Sequence, residues 1–89
     1  MRKHGRVDHN HLEIIHDLRK CGWLVHDTSS QGGGFPDLVC SLRGRIVLVE
    51  IKFSRGKLTP DQLKFRRAGW TFHIIRDTAD VLALTEANA

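Results

Sequence analysis

Long apolar runs are missing from this 89-residue chain. None approaches the roughly 18 residues that a membrane-spanning helix needs. The first residues, MRKHGRVDHNH, are basic but carry no apolar segment, so no secretory leader is expected. Cysteine occurs twice, at Cys21 and Cys40, which excludes both a disulfide framework and a Cys-x-x-Cys pair. Acid is the scarcer charge: ten Asp and Glu stand against fourteen Lys and Arg, giving +4 and a pI near 9.6. That balance favours an acidic partner such as nucleic acid. What is present, 40% hydrophobic and 27% charged residues, suits a folded domain rather than a disordered tail. One domain fills this length, and a domain so small buries only about 60–65% of its unfolded surface. A soluble, cytoplasmic protein is the expectation.

Along the chain, residues 1–8 read as a flexible basic arm and residues 9–89 as the single domain. From Asn10 the pattern is helical, with Leu12, Ile14, Ile15, Leu18 and Cys21 recurring at three and four until Gly22. Asp8 or Asn10 would cap it. Residues 23–28 read as a short strand, and Ser29 to Gly34, with three consecutive glycines, as a loop. Two strands follow, Pro36 to Leu42 and Arg45 to Phe53, joined by a tight turn at Arg43-Gly44. Ser54 to Lys57 is a basic loop. Thr59, Pro60 and Gln62 then spell a helix cap, a first-turn proline and a capping box, with Leu58 and Leu63 placed for a staple. Trp70 to Arg76 reads as a last strand, and Ala79 to Ala87 as a helix capped by Asp77 or Thr78. The order α-β-β-β-α-β-α defines a mixed α/β (α+β) domain.

A two-residue turn at Arg43-Gly44 pairs Leu42 with Arg45 and thereby sets Asp37 opposite Glu50. Opposed residues have Cβ atoms about 4.5–5.5 Å apart, and like charges placed there repel. Lys52, two residues on, shares the face of Glu50, Ile46 and Leu48, while Val47, Val49, Ile51 and Phe53 line the other. Both faces of this strand are expected to be buried, as in a central strand, with charge confined to one end. A partly buried carboxylate pair needs a proton, a cation or a hydrogen-bond network. Two carboxylates, a backbone carbonyl and waters would suit an octahedral Mg²⁺, with Lys52 beside a bound phosphate. The plain alternatives are a strand-start aspartate after Pro36 and a solvated Glu50–Lys52 ion pair. A three-residue loop would put Asp37 on the wrong face.

At these residues the chain resembles a known superfamily. Gly34-Phe35-Pro36-Asp37-Leu38, followed after Asp37 by twelve residues and then Glu50-Ile51-Lys52, resembles the PD-(D/E)XK nucleases. With Gly56-Lys57-Leu58-Thr59-Pro60-Asp61-Gln62 behind it, the pattern is most similar to the small stand-alone VRR-NUC proteins of phages and bacteria, over roughly residues 7 to 84. The resemblance implies a restriction-endonuclease-like core, a four-stranded central sheet flanked by helices. It implies Mg²⁺ or Mn²⁺ held by Asp37, Glu50 and the Ile51 carbonyl, with Lys52 as the catalytic lysine. Gln62 matches a glutamine that the family keeps near the site, although its capping box accounts for it equally well. The first helix of such proteins adds a Glu or Gln. Here His11 stands in that place, on the apolar side of the helical wheel, whereas Glu13 points away.

The remaining features divide between ordinary and functional readings. His9-Asn10-His11 spells HNH, yet at a helix start rather than in the ββα metal fold of that nuclease class. His4, His9, His11 and His16 lack a suitably spaced cysteine for a zinc site. Gly32 to Gly34 either admit a DNA backbone or simply make a bend. Basic residues gather at Arg2, Lys3 and Arg6, at Arg43 and Arg45, at Arg55 and Lys57, and at Lys64, Arg66 and Arg67. Arg55 and Lys57 directly follow the catalytic strand, and with Arg43 and Arg45 they are the candidates for DNA phosphate contact. The expectation is a metal-dependent DNA endonuclease acting as a homodimer, with the resemblance pointing to branched, flap or Holliday-junction DNA. It needs neither a membrane nor an organic cofactor. The alternatives are a non-catalytic nucleic-acid-binding module on the same fold and a restriction-type duplex endonuclease.

Overall fold

The computed structural model describes residues 4–89, with side chains from Asn10 onward. The elements run α1 (His4–Lys20), β1 (Leu24–Asp27), β2 (Leu38–Leu42), β3 (Arg45–Ile51), α2 (Pro60–Arg67), β4 (His73–Ile75) and α3 (Thr78–Ala87). The strands form one mixed four-stranded sheet in the order β1-β2-β3-β4. Neighbours are antiparallel except β3 and β4, which run parallel. Among the described residues no helix is long and apolar enough to cross a membrane.

The core lies between one face of the sheet and the helices α1 and α3. Ile14, Ile15 and Leu18 of α1 meet Val81 and Leu84 of α3 over Leu38, Cys40, Val49 and Ile75. Trp23 is buried there too, its ring N–H donating to the Thr85 hydroxyl at 2.9 Å. Burial pushes the Cys40 thiol up to about 12, so it stays protonated and packs as an apolar side chain. α1 begins at His4, so residues 4–8 of the expected arm are helical, and Asp8 and Asn10 lie inside the helix rather than capping it. Adding turns to a formed helix needs far less than starting one. Residues 1–3 of that arm lie outside the described residues. Leu12, expected on the apolar stripe, is 64% exposed. It stands about 200° around the helix from Ile14, which takes it off the buried face.

The turn between β2 and β3 has positive φ at both central residues, 54° at Arg43 and 86° at Gly44. That is the type I′ geometry whose twist matches the strands. It sets the register Leu42↔Arg45 through Leu38↔Val49, so the next position brings Asp37 to Glu50. Leu38 and Val49 face the core, so alternation sends Asp37 and Glu50 to the opposite face, where α2 lies.

That opposite face is not buried along the whole of β3, contrary to expectation. Ile46 is 69% exposed, and Leu48 is half-buried. β4 pairs only with Val49–Ile51, and the one α2 side chain buried is Gln62, at the site end. The strands are also shorter than their apolar runs. β2 starts at Leu38 rather than Pro36, and β4 is His73–Ile75 rather than Trp70–Arg76. β3 ends at Ile51 because the chain turns at once: Gly56 N–H donates to the Phe53 carbonyl, and Ser54 adopts φ 51°. Phe53, expected on the buried face, is therefore exposed.

Candidate active site

Asp37 enters the site from the segment just ahead of β2, which is fastened to the end of β1. The Thr28 hydroxyl donates to the Pro36 carbonyl at 2.8 Å, and the Thr28 N–H to the Asp37 carbonyl at 2.7 Å. The Asp37 carboxylate then reaches across to β3, where its Oδ2 accepts the Ile51 N–H at 2.9 Å. The carboxylate thus caps the strand beside the Glu50–Ile51 peptide.

Glu50 is only 4% exposed. Its Oε2 accepts the Gln62 amide at 2.6 Å and lies 3.4 Å from the Lys52 ammonium. Its Oε1 is buried without a hydrogen-bond partner, the one such side-chain atom among the described residues. Burial first, and then the neighbouring Asp37 charge, raise the Glu50 pKa above the usual carboxylate range. Lys52 and the Gln62 bond pull it back in part. Leaving a buried acceptor unmade costs about 1–3 kcal/mol, and more for a charged group. A cation beside Oε1 removes that penalty, so the donor set of Asp37, Glu50 and the Ile51 carbonyl fits Mg²⁺ or Mn²⁺.

Gln62 serves the helix and the site together. Its backbone N–H donates to the Thr59 hydroxyl at 3.2 Å, and its side-chain Oε1 accepts the Thr59 N–H at 2.9 Å. With Oε1 engaged in the capping box, only the NH₂ end of the amide faces Glu50. The glycine loop closes against the same helix. Gly34, at φ 83°, sits so near α2 that a Cβ would lie 2.6 Å from the Asp61 carbonyl oxygen. The loop's last glycine is therefore required by packing within the chain.

The loop after β3 is held by Arg76, the residue that follows β4. Arg76 donates through one guanidinium nitrogen to the carbonyls of Ser54 at 2.7 Å and Gly56 at 2.9 Å. Gly56 in turn lies against the stem of Lys52. Arg55 and Lys57 are exposed on this loop, next to the end of β3. Arg43 and Arg45 are exposed at the opposite end of β3. Arg45 lies five positions before Glu50, about 17 Å along a strand.

The first-helix candidates are placed apart from this cluster. His11 is buried, and its Nε2 meets Asp27 Oδ2 on β1 at 3.1 Å. Glu13 is exposed and lines a groove between α1 and α3 with His16, Asp17 and Thr78. Among the described residues no three His, Cys, Asp or Glu side chains converge as a metal site. The histidine cluster considered from sequence includes His4 and His9, whose side chains lie outside the described residues. Sequence reading missed Arg76 and Asp27, because nothing near either residue in sequence signals its distant partner. The orienting role of Thr59 was half visible in the capping box.

A solved structure described as a VRR_NUC domain is similar to this chain across 100% of both chains, with 31% identity and a TM-score of 0.66. No family profile and no curated protein matches the chain.

Proposed function

The chain belongs to the VRR-NUC family, and from that premise we propose that it is a metal-dependent DNA endonuclease selective for branched substrates. The observation that carries this reading is Glu50: buried, gripped at Oε2 by two donors, with Oε1 presented bare beside Asp37. A carboxylate so arranged suits cation binding better than a structural ion pair, in which both oxygens would be matched.

Asp37, Glu50 and the Ile51 carbonyl would hold Mg²⁺ or Mn²⁺, which when bound polarises phosphoryl oxygens and lowers the pKa of water. The chain's own groups do the rest. Gln62 fixes the rotamer of Glu50, and Ile51 N–H fixes Asp37, so neither carboxylate must reorganise when DNA arrives. The Lys52 ammonium, 3.4 Å from Glu50, orients the attacking water and donates to a non-bridging phosphate oxygen. Water adds to phosphorus and gives up a proton to solvent, the bond from phosphorus to the leaving sugar oxygen breaks, and that oxygen takes a proton from solvent. Arg55 and Lys57, on the loop braced by Arg76, meet flanking phosphates without reading bases.

A domain of 89 residues cannot enclose a duplex, so a homodimer with two active sites is part of the proposal. Two sites suit a junction in which two strands must be cut. Cleavage of labelled branched DNA with Mg²⁺ or Mn²⁺, comparing wild type with Glu50→Ala, is the direct test. Cleavage by wild type and at least a hundredfold loss in the variant are expected; equal rates in both would overturn the assignment. Light scattering at assay concentration reads the dimer.

A further inference from the structure

The exposed half of the sheet's outer face carries an aromatic and basic surface that the cleavage chemistry leaves unused. Continuing the β3–β4 offset, Val49↔His73, sets Ile46 beside Trp70 and Leu48 beside Phe72. β4 pairs only with Val49–Ile51, so an open groove remains between the first half of β3 and the chain leading into β4. It is lined by Ile46, Leu48, Gly69, Trp70, Thr71 and His73. Trp70 stacks on Phe65, with ring centroids 5.3 Å apart and planes 14° apart. Phe65 is itself backed by Phe35 and Phe72. Although Phe65 covers one of its faces, Trp70 is still 54% exposed. The result is a rigid indole plate with an open side.

Charge says what covers it. The two segments bordering the groove, residues 43–49 and 63–73, contain no Asp or Glu and five Arg or Lys: Arg43, Arg45, Lys64, Arg66 and Arg67. A two-fold contact between copies would bring these like charges together. An anionic partner with flat apolar groups fits both features. We infer that Trp70 and its groove form a stacking platform for the bases of an unpaired DNA strand, an inference that rests on the nuclease reading above and names the part of a branched substrate it grips.

The placement suits that role. Ile46 lies four residues from Glu50 along β3, about 13 Å, or about four stacked nucleotide steps of 3.4 Å. An unpaired strand leaving the site along β3 would reach the indole, and the net positive charge of the two bordering segments suits its phosphates. Arg66 is occupied in bracing the platform, donating to the Phe72 carbonyl at 2.8 Å and lying 4.3 Å over the Phe72 ring.

The protein's two tryptophans make the test optical. Trp23 is 2% exposed and supplies a constant background, so a base stacked on Trp70 quenches the remainder. The full chain is titrated with a thymidine 12-mer, a plain duplex and a flap substrate in EDTA, where no cutting occurs. Quenching by the single strand and the flap is expected in wild type. Trp70→Phe should lose the quenching yet bind within about threefold of wild type, because a phenyl ring still stacks. Trp70→Leu should weaken single-strand binding by about 5- to 100-fold, with thermal unfolding monitored to confirm folding. Single-strand affinity unchanged in Trp70→Leu would overturn the platform, as would emission that follows protein concentration instead of DNA, the mark of a second copy on this face. Cleavage in Mn²⁺ is scored separately. Quenching without cutting defeats the nuclease reading alone, whereas cutting with an indifferent Trp70→Leu defeats the platform alone.

Discussion

The Gln62 amide donates to Glu50 Oε2 at 2.6 Å while its own oxygen accepts the N–H of Thr59. A helix cap therefore decides which end of an amide meets a buried carboxylate. Because Oε2 is taken by Gln62 and Lys52, the oxygen left for a cation is Oε1. Local helix chemistry and site chemistry meet in one side chain.

Gln62→Glu separates the two roles. Glutamate is as good as glutamine at this position of a capping box, so α2 keeps its cap, but a second carboxylate against the buried Glu50 should lower the melting temperature in EDTA. The new carboxylate faces Glu50 without a proton to donate. Cleavage and Mn²⁺ affinity should both fall by roughly 10- to 100-fold. Gln62→Ala should lose the cap as well and melt earlier. Calorimetric Mn²⁺ titration beside thermal unfolding distinguishes the pair.

Removing the metal should be felt by the fold through Glu50. Mn²⁺ at a hundredfold excess over its Kd should stabilise wild type by about 2.7 kcal/mol. Glu50→Gln should show no such shift and, without metal, should unfold no earlier than wild type, since it no longer buries a carboxylate beside Asp37. Melting curves with and without EDTA check both statements.

Gly34→Ala should disturb the site from a distance. The added Cβ would meet the Asp61 carbonyl at 2.6 Å, and φ is 83° there. A loss of about 2–4 kcal/mol is expected, with α2 pushed away from Glu50 and activity reduced. Gly32→Ala meets nothing within 4 Å and pays only for its positive φ, about 1 kcal/mol. Urea unfolding of the two variants should rank them in that order.

Asp27 should mark the acid limb of the stability profile. Burial pushes its carboxyl up, but two hydrogen bonds from Ser29 and the neighbouring His11 outweigh it, leaving the pKa below the usual 3.8. The ionised form is favoured in the folded state. Its contribution is present above the ordinary carboxylate value and is lost as the pH falls through the lowered one. Asp27→Asn should therefore melt below wild type at neutral pH, with the difference closing as the pH falls below the ordinary carboxylate value of 3.8. Paired melting curves across that range measure it.

Several features were legible because their causes lie within a few residues. The Arg43-Gly44 turn determines the pairing of β2 with β3, and so the meeting of Asp37 and Glu50, through two backbone angles. Thr59, Pro60 and Gln62 mark the start of α2 through contacts three residues apart. His11 could be set on the buried side of α1 by its angular position alone. Its partner Asp27 could not, being sixteen residues away on a strand whose neighbour depends on packing. The exposure of Ile46 was equally hidden, because an apolar run does not disclose how far β4 and α2 extend over it. Arg76 escaped notice for the same reason: its two acceptors are backbone carbonyls twenty and twenty-two residues earlier.

By itself the sequence determined the order of elements, the hairpin register and the three charged groups at one end of β3, since each follows from short-range sterics and from alternation along a strand. The tertiary structure alone decided that Gln62 orients Glu50, that one carboxylate oxygen is left bare, and that half of the outer sheet face stays open beside Trp70. Those outcomes depend on where α2 and β4 come to rest. That placement is set by the summed packing of segments far apart in the chain, which no local pattern encodes.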